Sequence, residues 1–101
     1  SPLGIPSSVT HNAKSLTHRD RFDVFRADLL FCNLLGMNRV SQGSMIEFGW
    51  ADARRIPILC CIEPDGSNPH EHAMLQELVS WRCESLQEGI EVTTNILSAG
   101  L

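Results

Sequence analysis

Two short runs of apolar residues constrain the fold of this chain more than any other feature. Residues 29–34 (LLFCNL) and 56–62 (IPILCCI) are almost uninterrupted by polar side chains. A strand that faces water on one side alternates apolar and polar residues, whereas a strand covered on both faces need not. The two runs therefore predict buried strands of a parallel sheet, and Pro57 is tolerable because it lies near the start of the second strand.

Helical patterns alternate with these strands along the chain. Capping boxes formed by Thr17 with Asp20 and by Ser85 with Glu88 predict the starts of the first and last helices. Residues 1–14 are rich in Ser, Pro, Gly and Asn and predict an irregular loop. The predicted helices cover residues 17–27, 44–54, 70–79 and the stretch after 85, and a third, short strand covers 80–84. This alternation predicts one α/β domain with a parallel sheet and right-handed crossovers.

The composition narrows the class of partner. A net charge of -4 gives no basic surface to a nucleic-acid backbone. No apolar run approaches the roughly 20 residues that span a bilayer, and the start of the chain lacks the basic and apolar segments of a signal peptide. The sequence therefore predicts a globular, cytoplasmic protein that binds neither polymeric nucleic acid nor a membrane.

The cysteines bear on compartment and on metal binding. Cys32, Cys60 and Cys61 lie inside the apolar runs, and no two cysteines have CxxC spacing. We therefore expect reduced core thiols rather than a disulfide or a zinc site. His70 and His72 would be candidate metal ligands, but no third ligand is evident beside them. No metal and no cofactor is predicted.

Two carboxylates are expected on the ligand-binding face of the sheet. Ligands bind doubly wound sheets at the carboxyl ends of the strands, where the helices also begin. Asp20 and Glu47 are each predicted in the first turn of a helix near this end, together with the loop residues Ser41 and Gly43. Cleavage of a glycosidic bond needs two such groups, one for the anomeric carbon and one for the leaving-group proton. The helix N-terminus would keep Glu47 ionised, and burial would keep Asp20 protonated to a higher pH.

The same two residues have a simpler explanation. Acidic side chains are common in first helical turns because they suit the helix dipole. Spacing by itself therefore favours a plain capping role for Glu47 over a catalytic one.

A longer motif favours the catalytic role of Glu47 over the capping role. Residues 41–51 (SQGSMIEFGWA), followed by Arg55-Ile-Pro-Ile-Leu, resemble the nucleoside 2-deoxyribosyltransferase family, whose loop Gly lies four residues before a Glu. Asp20 and Asp28 match the family's pair of Asp residues eight positions apart. The resemblance covers most of residues 16–98 and extends to the related 2′-deoxynucleoside 5′-phosphate N-hydrolases.

The resemblance implies a fold and an activity. The implied fold is a flavodoxin-like, three-layer α/β sandwich, a parallel sheet with helices on both faces. The implied activity cleaves the N-glycosidic bond of a nucleoside or nucleoside 5′-monophosphate and transfers the sugar to another base or to water. Glu47 would be the nucleophile, Asp20 the acid/base and Asp28 a structural residue.

The resemblance also implies substrate contacts and an oligomer. Ser41, Gly43 and Ser44 would bind the substrate, and His72 falls where a neighbouring subunit of a homodimer or larger homo-oligomer contributes. Ser41 departs from the transferases, which carry an Asp there for the sugar 5′-hydroxyl. A Ser hydroxyl can donate a hydrogen bond to a 5′-phosphate that a carboxylate would repel. Ser41 therefore favours a nucleotide substrate.

One part of the family pattern is missing. The family begins with a strand and a helix that carry a Tyr- or Phe- and Gly-containing motif, and nothing in this sequence resembles them. We therefore expect that an N-terminal portion was cleaved, lost or left out, and that activity depends on it. Without it, the strand at 29–34 would be an apolar sheet edge.

The sequence is also compatible with two other functions. The chain could be a catalytically inactive nucleotide-binding module of the same fold, or an interaction domain that uses Trp50 and Trp81. Base preference, the type of sugar, and transfer versus hydrolysis depend on the shape of the pocket rather than on motifs.

Overall fold

Helices and strands alternate throughout residues 12–99, the part of the chain that the computed structural model describes. The elements are α1 (Ala13–Phe25), β1 (Leu30–Asn33), α2 (Gln42–Ala53), β2 (Ile58–Cys61), α3 (Ala73–Leu78), β3 (Trp81–Cys83) and α4 (Leu86–Ser98). Their order and type confirm the alternation predicted from the sequence.

The strands form an open, all-parallel sheet in the order β1-β2-β3. Cys32 of β1 is the register partner of Cys60 in β2, and Cys61 of β2 is the partner of Cys83 in β3. β2 therefore lies at the centre with all of its residues buried. β1 lies at an edge of the described sheet, where Leu30, Phe31 and Cys32 are only half-buried.

Side chains that alternate along β2 build one core on each face of the sheet. Ile58 and Cys60 belong to the core that α1, α2 and α3 cover, with Phe48 among its largest members. Leu59 and Cys61 belong to the opposite core, which α4 covers with its half-buried Val92 and Ile96. The protein is thus a three-layer α/β sandwich with a flavodoxin-like arrangement, in agreement with the predicted fold class.

The first two helices begin earlier than predicted. Asn12 caps α1, since its Oδ1 accepts a hydrogen bond from the Ser15 N–H at 2.9 Å. Thr17 lies inside the helix and its hydroxyl donates to the Ala13 carbonyl, so the capping box assigned to Thr17 is wrong. The predicted loop at 1–14 lies outside the described residues except for its last three, of which the final two are helical. α2 likewise begins at Gln42 rather than at residue 44.

The last helix begins where the sequence predicted. The Ser85 hydroxyl accepts a hydrogen bond from the Glu88 N–H at 3.1 Å, which satisfies one of the free donors of the first turn. The Glu88 carboxylate reaches back to the Glu84 N–H, also at 3.1 Å. Ser85 is thus confirmed as the cap of α4, while the return bond of Glu88 goes to the residue before the cap rather than to the Ser85 N–H.

The four cysteines are free thiols. Cys60, Cys61 and Cys83 are buried and Cys32 is half-buried, so all four lie in or beside the two cores. None of the helices within residues 12–99 is both long enough and apolar enough to cross a membrane.

Gly89 sets the distance between α4 and the sheet. A methyl group at this position would be closer to the Cys61 Sγ than van der Waals contact allows, and 3.2 Å from the Phe31 ring. Both neighbours are held in place by the sheet. The close approach of α4 to β2 therefore needs a residue without a side chain.

We expect Gly89→Ala to lower the free energy of unfolding by about 1–3 kcal/mol, because the added methyl overpacks this contact. Gly49→Ala in α2 is the matched control, since a methyl there meets no atom within 4 Å. The control should instead stabilise the protein by about 0.5–1 kcal/mol through helix propensity. Urea unfolding of both variants is the measurement. Equal effects on stability would contradict the proposed close packing.

Candidate functional site

Glu47 lies in the second turn of α2, not in the first turn as predicted. Ser41 caps the helix two residues earlier than expected, so α2 has no acidic residue in its first turn. Glu47 is half-buried and lines a cavity beside residues 30–33 of β1. Its environment is therefore set by burial more than by the helix dipole, which fades beyond the first turn.

Asp20 and Glu47 line one cavity between α1 and α2. The cavity has a volume of about 120 Å³ and is lined by Thr17, Asp20, Gly43, Ile46, Glu47 and Trp50. Asp20 reaches it from the middle of α1 rather than from a helix start, because α1 begins at Ala13. The packing of α1 against α2 thus brings the two carboxylates together, although the predicted route through two helix N-termini is wrong.

Glu47 is half-buried, whereas Asp20 is exposed. Burial raises the pKa of the Glu47 carboxyl above its ordinary value, and the nearby negative charge of Asp20 raises it further. The Asp20 side chain is 51% exposed and lies 3.7 Å from the Arg19 guanidinium. Asp20 is therefore not buried against apolar surface.

A second cavity lies on the other side of Glu47, along the edge strand. Its volume is about 240 Å³, and residues 30–33 of β1 line it together with Ser44, Glu47 and Phe48 of α2. Glu47 thus separates two open spaces, one towards Asp20 and one towards the carboxyl end of β1. A ligand larger than either cavity could contact Glu47 from both sides.

The sequence analysis did not identify Cys32 and Asn33 as site residues. Cys32 was assigned to the core, yet it borders the second cavity with Asn33. Burial raises the pKa of the Cys32 thiol, a hydrogen bond with Ser44 lowers it, and the charge of Glu47 raises it. The position of both residues at the carboxyl end of an apolar run was the available signal, because ligands bind at that end of a parallel strand.

The predicted substrate-binding serines are hydrogen-bonded to each other at the start of α2. The Ser41 Oγ accepts a bond from the Ser44 N–H at 3.3 Å, which is the cap of the helix. The Ser41 hydroxyl lies 2.9 Å from the Ser44 Oγ. Ser44 contacts the second cavity and Gly43 the first, so the N-terminal turn of α2 borders both cavities.

A buried histidine holds the backbone of Ser41. The His70 Nε2 lies 2.8 Å from the Ser41 N–H, and the His70 side chain is 2% exposed. A backbone amide can only donate, so Nε2 is the acceptor and the proton of the neutral ring is on Nδ1. Nδ1 in turn donates to the Asn68 Oδ1 at 2.7 Å. Burial lowers the pKa of His70, in keeping with a neutral ring.

Asn68 extends this network to both loops at the carboxyl end of the sheet. Its Nδ2 donates to the Leu34 carbonyl at 2.8 Å and to the Glu63 carboxylate at 2.9 Å. The other oxygen of Glu63 accepts from the Gly36 N–H at 3.0 Å. These two bonds to the carboxylate, with that from Gly36 the larger, lower the pKa of Glu63. The loop after β1 is therefore hydrogen-bonded to the loop after β2 at both of its ends.

His72 does not meet Glu47 within one chain. It is exposed and caps α3, where its Nδ1 accepts from the Met74 N–H at 3.1 Å. It contacts a separate, mainly apolar space of about 260 Å³. Its contribution to the site of a neighbouring subunit stays a prediction.

The described residues support neither metal binding by His70 and His72 nor a single interaction surface formed by Trp50 and Trp81. Residues 12–99 contain no group of three His, Cys, Asp or Glu side chains placed to hold a metal ion, and both ring nitrogens of His70 are hydrogen-bonded within the protein. Trp50 packs against the core under α1 and α2, whereas Trp81 packs against the core under α4. The two tryptophans therefore lie on opposite faces of the sheet.

No protein-family model, no curated protein and no solved structure matches this chain. The resemblance of residues 16–98 to the deoxyribosyltransferases thus stays a prediction from motifs.

We expect His70 to make stability depend on pH. Its folded pKa is depressed below 6.5, so its contribution is fully present above about pH 6.5. As the pH falls below that value the unfolded chain takes up the proton first, and stability is lost towards the folded pKa. The drop in Tm between pH 7.5 and 5.5 should therefore be larger in the wild type than in His70→Gln, whose side chain does not titrate. An equal drop in both proteins would rule this out.

Proposed function

We propose that this domain cleaves the N-glycosidic bond of a nucleoside or nucleoside 5′-monophosphate, with transfer of the sugar to another base or to water. The observation that carries the proposal is the pairing of one half-buried and one exposed carboxyl, Glu47 and Asp20, on a single cavity. Two carboxyl groups in different environments can take the two roles that glycosidic cleavage requires.

Glu47 is the nucleophile in this proposal. Its carboxylate forms a bond to C1′ while the bond between C1′ and the base nitrogen breaks, and the electron pair of that bond leaves with the base. Partial burial strips water from the carboxylate and leaves it beside the negative Asp20. In the transition state, positive charge develops at the anomeric carbon. This charge compensates the Glu47 carboxylate for its lost hydration and for its repulsion by Asp20, so the electrostatic interactions of Glu47 are more favourable in the transition state than in the free enzyme.

Asp20 serves the proton transfers. By the family resemblance, its exposed carboxylate relays a proton from solvent to the departing base nitrogen and later removes the proton of the incoming water or acceptor base. Exposure suits this second role because Asp20 can exchange protons with solvent between the two steps. Ile46 and Trp50 add an apolar wall to the same cavity, which suits the face of a planar base.

The start of α2 favours a substrate that carries a 5′-phosphate. Ser41 and Ser44 offer hydroxyl groups beside the N–H groups of the first helical turn, where anions are stabilised. By the same family resemblance, a second copy of the chain would contribute His72 to the site. A nucleotide is thus the preferred substrate and a homo-oligomer the preferred assembly.

We expect Glu47→Gln to lower the rate of base release by about 10⁴-fold or more, because an amide cannot act as the nucleophile. Asp20→Asn should lower it by about 10²- to 10⁴-fold, the usual contribution of acid/base catalysis. Chromatography of the products formed from dGMP or deoxyinosine with a free acceptor base measures both rates. It also separates transfer, which yields a new nucleoside from deoxyinosine or a new nucleotide from dGMP, from hydrolysis, which yields free sugar or sugar phosphate.

Asp52→Asn and Asp23→Asn are the matched controls on the same two helices. Asp52 is paired with Arg55 and Asp23 with Arg26, and neither lines a cavity that contains Glu47. Both should keep base release within about twofold of the wild type, as surface substitutions usually do. Undiminished turnover in Glu47→Gln would end the proposal. Tight nucleotide binding by calorimetry with no base release from the wild type would instead support the inactive binding module.

We expect Gly43→Ala to weaken substrate binding while it stabilises the fold. A methyl at Gly43 meets no protein atom within 4 Å, so it gains helix propensity of up to about 1 kcal/mol. The same methyl projects beside the cavity of Asp20 and Glu47 and should raise KM. Gly49→Ala, also in α2 and equally unhindered, should give the stability without the change in KM. Identical KM values for the two variants would show that substrate does not occupy this cavity.

A further inference from the structure

We propose that His70 is a positioning residue, which fixes the start of α2 through the Ser41 backbone and thereby holds Glu47 at its place between the two cavities. The inference rests on the proposed function for its kinetic consequences. The structural claim, that His70 fixes the start of α2, depends only on the buried hydrogen bonds.

His70 is bonded in a way that only a neutral ring in one orientation can satisfy. Nε2 accepts from the Ser41 N–H, and Nδ1 donates to Asn68. The Asn68 oxygen also accepts from the His70 backbone N–H at 3.0 Å, and its Nδ2 faces two acceptors, so the orientation of the amide is fixed as well. A nearly fully buried polar ring with both nitrogens paired specifies one geometry for the atoms that it joins.

Ser41 connects the buried hydrogen bonds of His70 to the start of α2. Its carbonyl accepts from the Met45 N–H at 3.1 Å and its hydroxyl caps the Ser44 N–H, so three groups of one residue are bonded at the start of α2. A helix is stiff over a few turns, so a shift of Ser41 moves the following turns with it. Glu47 lies six residues further along, in the second turn.

Hydrogen bonds hold both ends of the loop before α2 in place. Asn68 and Glu63 hold Leu34 and Gly36 at the beginning of this loop, and His70 holds Ser41 at its end. Gly36 has a φ of +74°, which favours glycine at the turn between the strand and the loop. The residues between the two anchors, 37–40, are exposed. The start of α2 is therefore positioned by the loop after β2 rather than by its own loop.

Loss of the His70 bond should loosen α2 from its start as far as Glu47 without unfolding the helix. Phe48 and Ala51 anchor the rest of α2, since they are 1% and 0% exposed in the core below it. A Leu at position 70 keeps apolar volume but leaves the Ser41 N–H without its acceptor. A Gln keeps an acceptor at a similar distance from the backbone. The two variants thus separate the hydrogen bond from the volume of the side chain.

The experiment compares His70→Leu with His70→Gln in the full chain. Amide exchange of Ser41 followed by NMR should be accelerated about tenfold or more in His70→Leu, the effect of losing one hydrogen bond. The kcat for base release from dGMP should fall by about 10- to 100-fold, the range expected for a displaced reacting group, with a smaller change in KM. His70→Gln should recover most of both effects.

Ile96→Ala is the control for a merely structural role. Ile96 packs under α4 on the opposite face of the sheet, so this variant destabilises the fold without touching either loop. Its kcat per folded molecule and its Ser41 exchange should stay near the wild-type values under conditions that keep both proteins folded. A kcat for His70→Leu equal to that of Ile96→Ala would overturn the positioning role.

A separate measurement distinguishes this inference from the proposed function. The titration of the Glu47 carboxyl, observed by carbon NMR, should move back towards its ordinary pKa in His70→Leu, because the side chain leaves its half-buried place, and should be retained in His70→Gln. Unchanged Glu47 titration in His70→Leu would refute the inference whether or not the protein is an enzyme. The expected titration and exchange results in a wild type that releases no base would refute the proposed activity alone.

Discussion

The central strand β2 has no side that faces water, and the rest of the molecule is arranged around that constraint. Its alternating side chains supply one residue set to the core under α1, α2 and α3 and the other to the core under α4. Burial of apolar surface stabilises such a strand only when both faces are covered, so helices are required on each side. Gly89 shows how tightly one of these layers approaches, because a single methyl group would not fit between α4 and Cys61.

The position of the two carboxylates follows from the same layering. α1 and α2 share one face of the sheet and pack against each other, and this contact places Asp20 beside Glu47. Their environments differ because α2 lies closer to the sheet edge and its cavity, while the Asp20 side chain projects into solvent. Burial and the negative charge of Asp20 both raise the pKa of Glu47, whereas the roles that we propose for the two carboxyls come from the family resemblance.

Hydrogen bonds between polar side chains join the loops that follow β1 and β2. The loops after β1 and β2 each begin with a buried core residue, Leu34 and Ile62, and beyond these they are joined by hydrogen bonds through Asn68, His70 and Glu63. Every bond in this network has a defined donor, so the loops have one arrangement rather than several. The start of α2 is thereby held in place by residues more than twenty positions further along the chain.

The sequence alone determined the parallel sheet and the order of its elements, because apolar runs and short motifs can be read without a structure. It also singled out Asp20 and Glu47, which the folded chain brings to one cavity. It did not determine where α1 and α2 begin, since Thr17 and Asn12 can both cap a helix and only the folded chain decides between them. Nor did it determine which carboxyl is buried, that Cys32 and Asn33 border the cavity beside Glu47, or that His70 bonds to Ser41. These features depend on contacts between residues far apart in the chain, and such contacts exist only once α1, α2 and the two loops have packed at one end of the sheet.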